Sequence, residues 1–185
     1  MKRWSQLLVL LVLIGLCLSC GSGKGSRKPG PTGPEPVWSY EKDGIHVSFK
    51  ADPALNSFNG LPHTLDICFY QLKDPNVFNQ LSGDEQGLYL LMGCTTFDVS
   101  VTSFQRITVQ PGQDLSLSID RAEGSRYVAL SAGYYKLERN RIIRLESIPV
   151  LIKRKLFFTK YAVPGNLNLD VYLGAQQIEK VEVNP

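Results

Sequence analysis

Asp114-Leu115-Ser116-Leu117-Ser118-Ile119-Asp120 alternates apolar and polar side chains without a break. A β-strand repeats every two residues, so this stretch puts Leu115, Leu117 and Ile119 on one face and the polar residues on the other. The pattern is that of a half-buried strand. The same period returns near the end of the chain, where Leu167, Leu169, Val171 and Leu173 share one face of residues 166–173. A Gly174-Ala175 turn leads from there into residues 176–183, and the pair reads as a terminal hairpin. Further strand candidates lie at 45–50, 64–72, 104–109, 126–134, 141–146 and 156–161, with Gln110-Pro111-Gly112-Gln113 turning the chain between 104–109 and 114–120. About eight short strands separated by turns predict a mainly β fold, a two-sheet sandwich.

One region has a different period. Asp74 can cap a helix with Pro75 at its first position, where a missing N–H costs nothing, and with Val77, Phe78 and Leu81 as its apolar stripe. Gly83 interrupts it. Ser82 and Glu85 have the spacing of a capping box, and Leu88, Leu91 and Met92 form a second stripe that stops at Gly93. A short helical insertion over about 75–92 is therefore expected to pack on the sandwich, because helices of this length do not stand alone.

The chain has 185 residues, 43% of them hydrophobic and 20% charged, enough for one domain with a sizeable core and too few for two. Its formal charge of +3 is unevenly placed. Without Lys2 and Arg3 it falls to +1, and from Val37 onward 15 basic groups face 16 acidic ones. A nucleic-acid binder keeps a basic surplus on its folded part, so that class is excluded.

Lys2 and Arg3 precede an apolar run from Leu7 to Leu18, the charged and hydrophobic regions of an export signal. The run falls short of the roughly 20 residues that a spanning helix needs. Leu18-Ser19-Cys20 then resembles the lipobox of bacterial lipoproteins, although Cys17 stands where Leu is usual. The resemblance implies a signal peptide over 1–19, cleavage before Cys20 and acylation of its thiol. Two or more acyl chains anchor a protein stably. Gly21, where retained lipoproteins carry Asp, implies the periplasmic face of the outer membrane. Residues 21–36, GSGKGSRKPGPTGPEP, contain five Gly and four Pro and read as a flexible tether, about 20–25 Å end to end as a coil. Lys24, Arg27 and Lys28 read as solvated linker charges.

Reactive groups are sparse. His46 and His63 are the two imidazoles, and HExxH, GxSxG, P-loop and CxxC motifs are absent from the sequence. His63 follows Pro62 in a loop and reads as a turn residue. Asp66 and Asp170 fall on outward strand positions, and Tyr127, Tyr134 and Tyr135 read as strand tyrosines with buried rings and wet hydroxyls. Arg139, Arg141, Arg144 and the run Lys153-Arg154-Lys155 read as solvated faces. No metal and no cofactor is expected beyond the covalent lipid on Cys20, and no small-molecule substrate. Cys68 and Cys94 remain in the exported domain, where a bridge would staple the helical insertion to the preceding strand; two separately buried thiols are the alternative.

Phe69-Tyr70-Gln71-Leu72-Lys73-Asp74 before the helical insert, Val109-Gln110-Pro111-Gly112-Gln113, and Ala132-Gly133-Tyr134-Tyr135 follow the lipobox in an order that resembles the TssJ/SciN family, outer-membrane lipoproteins of the type VI secretion system. The resemblance covers residues 45 to about 150. It implies a transthyretin-like sandwich with a helical addition, no enzymatic activity, and a structural role in the envelope-spanning membrane complex. The implied partner is the periplasmic C-terminal region of the large inner-membrane subunit, contacted through the loop between the first two strands. Here that loop is residues 52–63, DPALNSFNGLPH, and the contact residues are Asn56, Ser57, Phe58, Asn59, Gly60 and Leu61. Leu55, Phe58 and Leu61 are apolar in a segment otherwise made of turn formers, which suits an interface. Phe58 folded back onto the sandwich is the alternative. A ligand-binding periplasmic lipoprotein on the same sandwich is the competing function, and it requires a concave apolar pocket.

Overall fold

The computed structural model describes residues 35–155 and 159–184. Cys20, the signal segment and most of the tether lie outside them. Among the described residues, ten strands and three short helices follow in the order β1 (Glu41–Ala51), β2 (Leu65–Leu72), α1 (Asn76–Leu81), α2 (Glu85–Met92), β3 (Val101–Val109), β4 (Asp114–Arg121), β5 (Tyr127–Ala132), α3 (Arg139–Ile142), β6 (Ile143–Ser147), β7 (Val150–Arg154), β8 (Lys160–Pro164), β9 (Leu167–Leu173) and β10 (Ile178–Asn184). Two four-stranded sheets, ordered β10-β9-β1-β4 and β3-β2-β5-β6, form the sandwich, and β7-β8 make a separate two-stranded ribbon.

The alternating stretches lie where their periodicity places them. Strand β4 presents Leu115, Leu117 and Ile119 on one face, opposite Phe49, Val47 and Ile45 of antiparallel β1. Strands β9 and β10 pair antiparallel across the Gly174-Ala175 turn. Strand β9 also lies parallel to β1, Val47 level with Leu169 and Phe49 with Val171, so the final hairpin completes the sheet that the first strand begins.

Strand β2 is the centre of the second sheet and is buried on both faces. Leu65, Ile67, Phe69 and Gln71 alternate with Cys68, Tyr70 and Leu72 along it. On the first of these faces Gln71 is a buried polar bridge: its Nε2 donates to the Asp120 carbonyl (2.8 Å), and its Oε1 accepts from the Ala122 N–H (2.8 Å) and the Ser125 hydroxyl (2.9 Å). On the other face Tyr70 donates to the Leu91 carbonyl (2.7 Å) and packs against Phe78 and Phe97. The helices are thus the cover of β2. They approach so closely that a β-carbon on Gly87 would lie 1.9 Å from the Leu81 carbonyl oxygen, which explains a glycine inside α2. Cys94 follows α2 and is bonded to Cys68, Cα–Cα 5.2 Å.

Several local readings are corrected. The cap of α2 is Asp84, whose carboxylate accepts from the Gly87 N–H, and Ser82 is instead buried with its hydroxyl on the Asn79 carbonyl. Residues 139–142 form a helical turn before β6, so the strand expected from 141 starts at Ile143. The strand expected over 156–161 gives way to β7 and β8, and residues 156–158 lie outside the description. Arg144 is no solvated charge: its guanidinium donates to the carbonyls of Asn140 and Ile143 and of Ile178 in β10. Arg121, at the end of β4, is buried and donates to the carbonyls of Gly165 and Ser39, both 3.2 Å away.

A rigid apolar loop tip and the family it belongs to

The segment 52–63 is tied to the sandwich by backbone hydrogen bonds at several points along its length. The Asp52 N–H donates to the Leu173 carbonyl (2.8 Å), the Asp52 carbonyl accepts from Leu55 and Gly112, and the His63 N–H returns to the Leu55 carbonyl (3.0 Å). The Ser57 N–H reaches the Ala175 carbonyl in the β9–β10 turn (2.7 Å). Phe58 and Leu61 then exchange two hydrogen bonds, of 2.9 and 3.0 Å, around Asn59 (φ 52°) and Gly60 (φ 77°). Two central residues with positive φ define a type I′ turn, for which Asn-Gly is the preferred pair. The loop tip is therefore a four-residue hairpin rather than a floppy excursion.

Leu55 and Asn56 are its root. Leu55 is wholly buried, and Asn56, at φ 48°, is 6% exposed. The Asn56 amide donates from Nδ2 to the Thr64 carbonyl (2.9 Å) and accepts at Oδ1 from the Tyr135 N–H (3.2 Å). Asparagine tolerates the left-handed region better than other side-chain-bearing residues, so one residue supplies both the turn and the cross-link. Asn56 thus supports the tip from inside, whereas Ser57, Phe58, Asn59, Gly60 and Leu61 lead out to it.

Phe58 is 49% exposed, Leu61 65% and Tyr135 54%. The Phe58 and Tyr135 rings stack at 4.5 Å and 22°, and His63 meets Tyr135 edge-on at 5.3 Å. Phe58 is neither a core residue nor a free one: one ring face lies on Tyr135 and the other side remains open. Behind Tyr135, Tyr134 is buried and donates its hydroxyl to the Gln177 carbonyl (2.8 Å), contrary to the wet hydroxyl expected of it. Burial, reinforced by the Glu179 carboxylate, holds that phenol above its ordinary range, so it stays a protonated donor. Three chain segments, 52–63, 134–135 and 175–177, are thereby locked behind a small apolar tip without a charged group on residues 53–63. The stacking partner Tyr135 and the pairing across Asn59-Gly60 are what the sequence reading left out, although Asn-Gly between two apolar residues is a strong hairpin signal.

A cleft of about 1220 Å³ lies elsewhere, between residues 35–41, the β7–β8 ribbon and the ends of β9 and β10. It shares no residue with the loop. Among the described residues no group of three or more His, Cys, Asp and Glu side chains could hold a metal ion.

Residues 43–160 match the family described as "Type VI secretion lipoprotein, VasD, EvfM, TssJ, VC_A0113". The chain belongs to the type VI secretion lipoprotein family. It is accordingly a non-enzymatic structural lipoprotein of a membrane complex. Solved structures share its fold. TssJ1 from Pseudomonas aeruginosa is 21% identical, with 81% of this chain covering 98% of that one at a TM-score of 0.57. Serratia marcescens Lip, described as a membrane bound component of the type VI secretion system, is 18% identical over 80% of this chain and 98% of its own, TM-score 0.54. A chain in the structure described as the T6SS protein TssM C-terminal domain from EAEC is 16% identical over 76% of this chain and 97% of that one, TM-score 0.53. No curated protein matches the chain.

Proposed function

We propose that this type VI secretion lipoprotein is held on the periplasmic face of the outer membrane by acyl chains on Cys20, with residues 20–36 as a tether, and that it binds the periplasmic C-terminal domain of the large inner-membrane subunit through the tip of the loop 52–63. The observation that carries the docking surface is the preformed hairpin Phe58-Asn59-Gly60-Leu61, whose apolar side chains stay open while Phe58 and Leu61 pair with each other through their backbones. A rigid loop that exposes an aromatic anchor loses little freedom on binding, which favours affinity. A structure described as the TssM C-terminal domain, among those that share this fold, supports the choice of partner. The aromatic and aliphatic side chains provide the anchors, and Asn56 and Tyr135 hold them in place.

Two experiments test the reading. The domain over residues 33–185, which contains the whole described core, should capture the periplasmic domain of the inner-membrane subunit, and the Phe58→Ala/Leu61→Ala double variant should not. Equal capture by both moves the contact away from this loop. Cys20→Ser in the full chain should abolish fatty-acid labelling and release the protein from the membrane fraction; continued labelling would refute the anchor.

A further inference from the structure

The β7–β8 ribbon is closed at its base by the Gly165 N–H on the Pro149 carbonyl (2.7 Å) and farther out by the Lys155 N–H on the Thr159 carbonyl (2.8 Å). Neither strand joins either four-stranded sheet, and every residue of β7 is exposed. A two-stranded ribbon on its own is marginal in water. The pairing of Val150 with Pro164, Ile152 with Ala162 and Arg154 with Lys160 puts an apolar strip on one face, followed along the same face by two cations. Lys153 and Lys155 stand on the opposite face, beside Tyr161. No Asp or Glu occurs between residues 147 and 169. Among the described residues none of Lys153, Arg154, Lys155 and Lys160 has a carboxylate within ion-pairing distance. The nearest acidic residues lining the cleft beneath the arm, Glu35 and Glu41, engage Arg126 (2.7 Å) and Arg121 (3.9 Å) instead.

Two unpaired cations in line with an apolar strip complement a surface that is at once anionic and apolar. We propose that the β7–β8 arm lies against an anionic lipid bilayer, with Val150 and Ile152 at the headgroup–acyl boundary and Arg154 and Lys160, on the same face, on lipid phosphates. Long basic side chains bury their stems while their charges stay at the headgroups, so the apolar strip and the cations need not compete. A bilayer is favoured over an acidic protein because the chain belongs to a lipoprotein family. The contact is independent of the loop 52–63 and orients the domain at the membrane to which it is anchored.

The domain over residues 33–185 lacks Cys20 and isolates the arm from the acyl chains. It should co-sediment with phosphatidylcholine vesicles containing about 30% phosphatidylglycerol and not with phosphatidylcholine alone. Each basic side chain contributes about fivefold to such partitioning, so replacing Arg154 and Lys160 by Gln should lower it by about 25-fold, and about 0.5 M salt should do at least the same to the unaltered domain. Ile152→Ser should lower it several-fold with an unchanged melting temperature. Absence of phosphatidylglycerol-dependent binding, or equal binding by the Gln variant, overturns the proposal. Arm-dependent binding to the periplasmic domain of the inner-membrane subunit without vesicle binding overturns it too, in favour of an acidic protein surface.

Discussion

Phe58→Ala separates an anchor from a core residue because the structure assigns the ring an intermediate position. A fully buried phenylalanine such as Phe49 loses about 3–5 kcal/mol on truncation to Ala. Phe58 keeps about half of its surface in water and makes one aromatic stack, at 4.5 Å to Tyr135. Half of the transfer and cavity cost, including a stack of order 1 kcal/mol, gives about 1–2 kcal/mol of lost stability. If the open side of the ring fills a pocket on the partner, the same truncation should cost 2 kcal/mol or more of binding, roughly thirtyfold in Kd. Urea unfolding and calorimetric titration with the partner domain, run on Phe58→Ala and on Phe49→Ala as a core control, give both numbers. A stability loss equal to that of the Phe49 variant would show that Phe58 is core after all. An unchanged Kd would refute the anchor.

Asn56→Ala removes both hydrogen bonds at the loop root and strains a residue at φ 48°, so it should cost about 2–3 kcal/mol and lower the Tm by roughly 5–10 °C. Asn56→Gly, which relieves the backbone strain alone, should recover about 1 kcal/mol of that, and identical melting of the two variants would refute the backbone part of the argument. Breaking the Cys68–Cys94 pair with Cys94→Ser should cost about 3–4 kcal/mol in urea for a separation of 26 residues, whereas two free thiols in the unfolded, unreduced domain would deny the bridge. Glu146 has its pKa raised above 4.5 by burial, partly offset by Arg144, so its ionisation opposes folding as pH rises through that interval. Glu146→Gln should therefore raise the Tm at pH 7, with the gain vanishing below about pH 4.5; an equal gain at both pH values would assign it to packing. Asp120 behaves oppositely: the Tyr40 hydroxyl holds its carboxyl below the usual range, so its contribution is present above that range and is lost on acidification.

What could be read from the sequence was governed by how local its cause is. Leu115-Ser116-Leu117-Ser118-Ile119 and the 167–173 stretch announced their strands because an unbroken period of two has no helical reading. Val77, Phe78 and Leu81 announced a helix for the converse reason. The parallel pairing of β1 with β9 joins residues more than a hundred positions apart, and no period encodes a partner. Residues 150–154 carried no clear signal: Val150-Leu151-Ile152 is apolar, yet these residues stand exposed outside both sheets. Gln71 and Arg121 were unreadable because a polar side chain normally signals surface, and these two are buried against backbone groups that only the assembled sheets bring to them. At the loop, the apolar tip was visible as Phe58 and Leu61. Its rigidity was not, because the carbonyl at Ala175 and the ring of Tyr135 arrive from distant segments.

The tip alone also limits how tightly this lipoprotein can bind. Phe58, Leu61 and Tyr135 are each about half exposed or somewhat more, and burying the remainder of each contributes about 1–1.5 kcal/mol. Together they supply about 3–5 kcal/mol, well short of the roughly 8 kcal/mol that a micromolar complex requires even before association entropy is counted. The Phe58 and Leu61 N–H groups can add little, because each is already paired with the other's carbonyl across the hairpin. Either the contact spreads to surfaces beyond residues 52–63, or confinement of both partners at the envelope supplies the missing effective concentration. A titration of the free domain decides which. A Kd weaker than about 10 μM, with tight assembly only on membranes, supports confinement; a nanomolar Kd in solution requires further contact surfaces, and the exposed β7–β8 arm would then be the first to truncate.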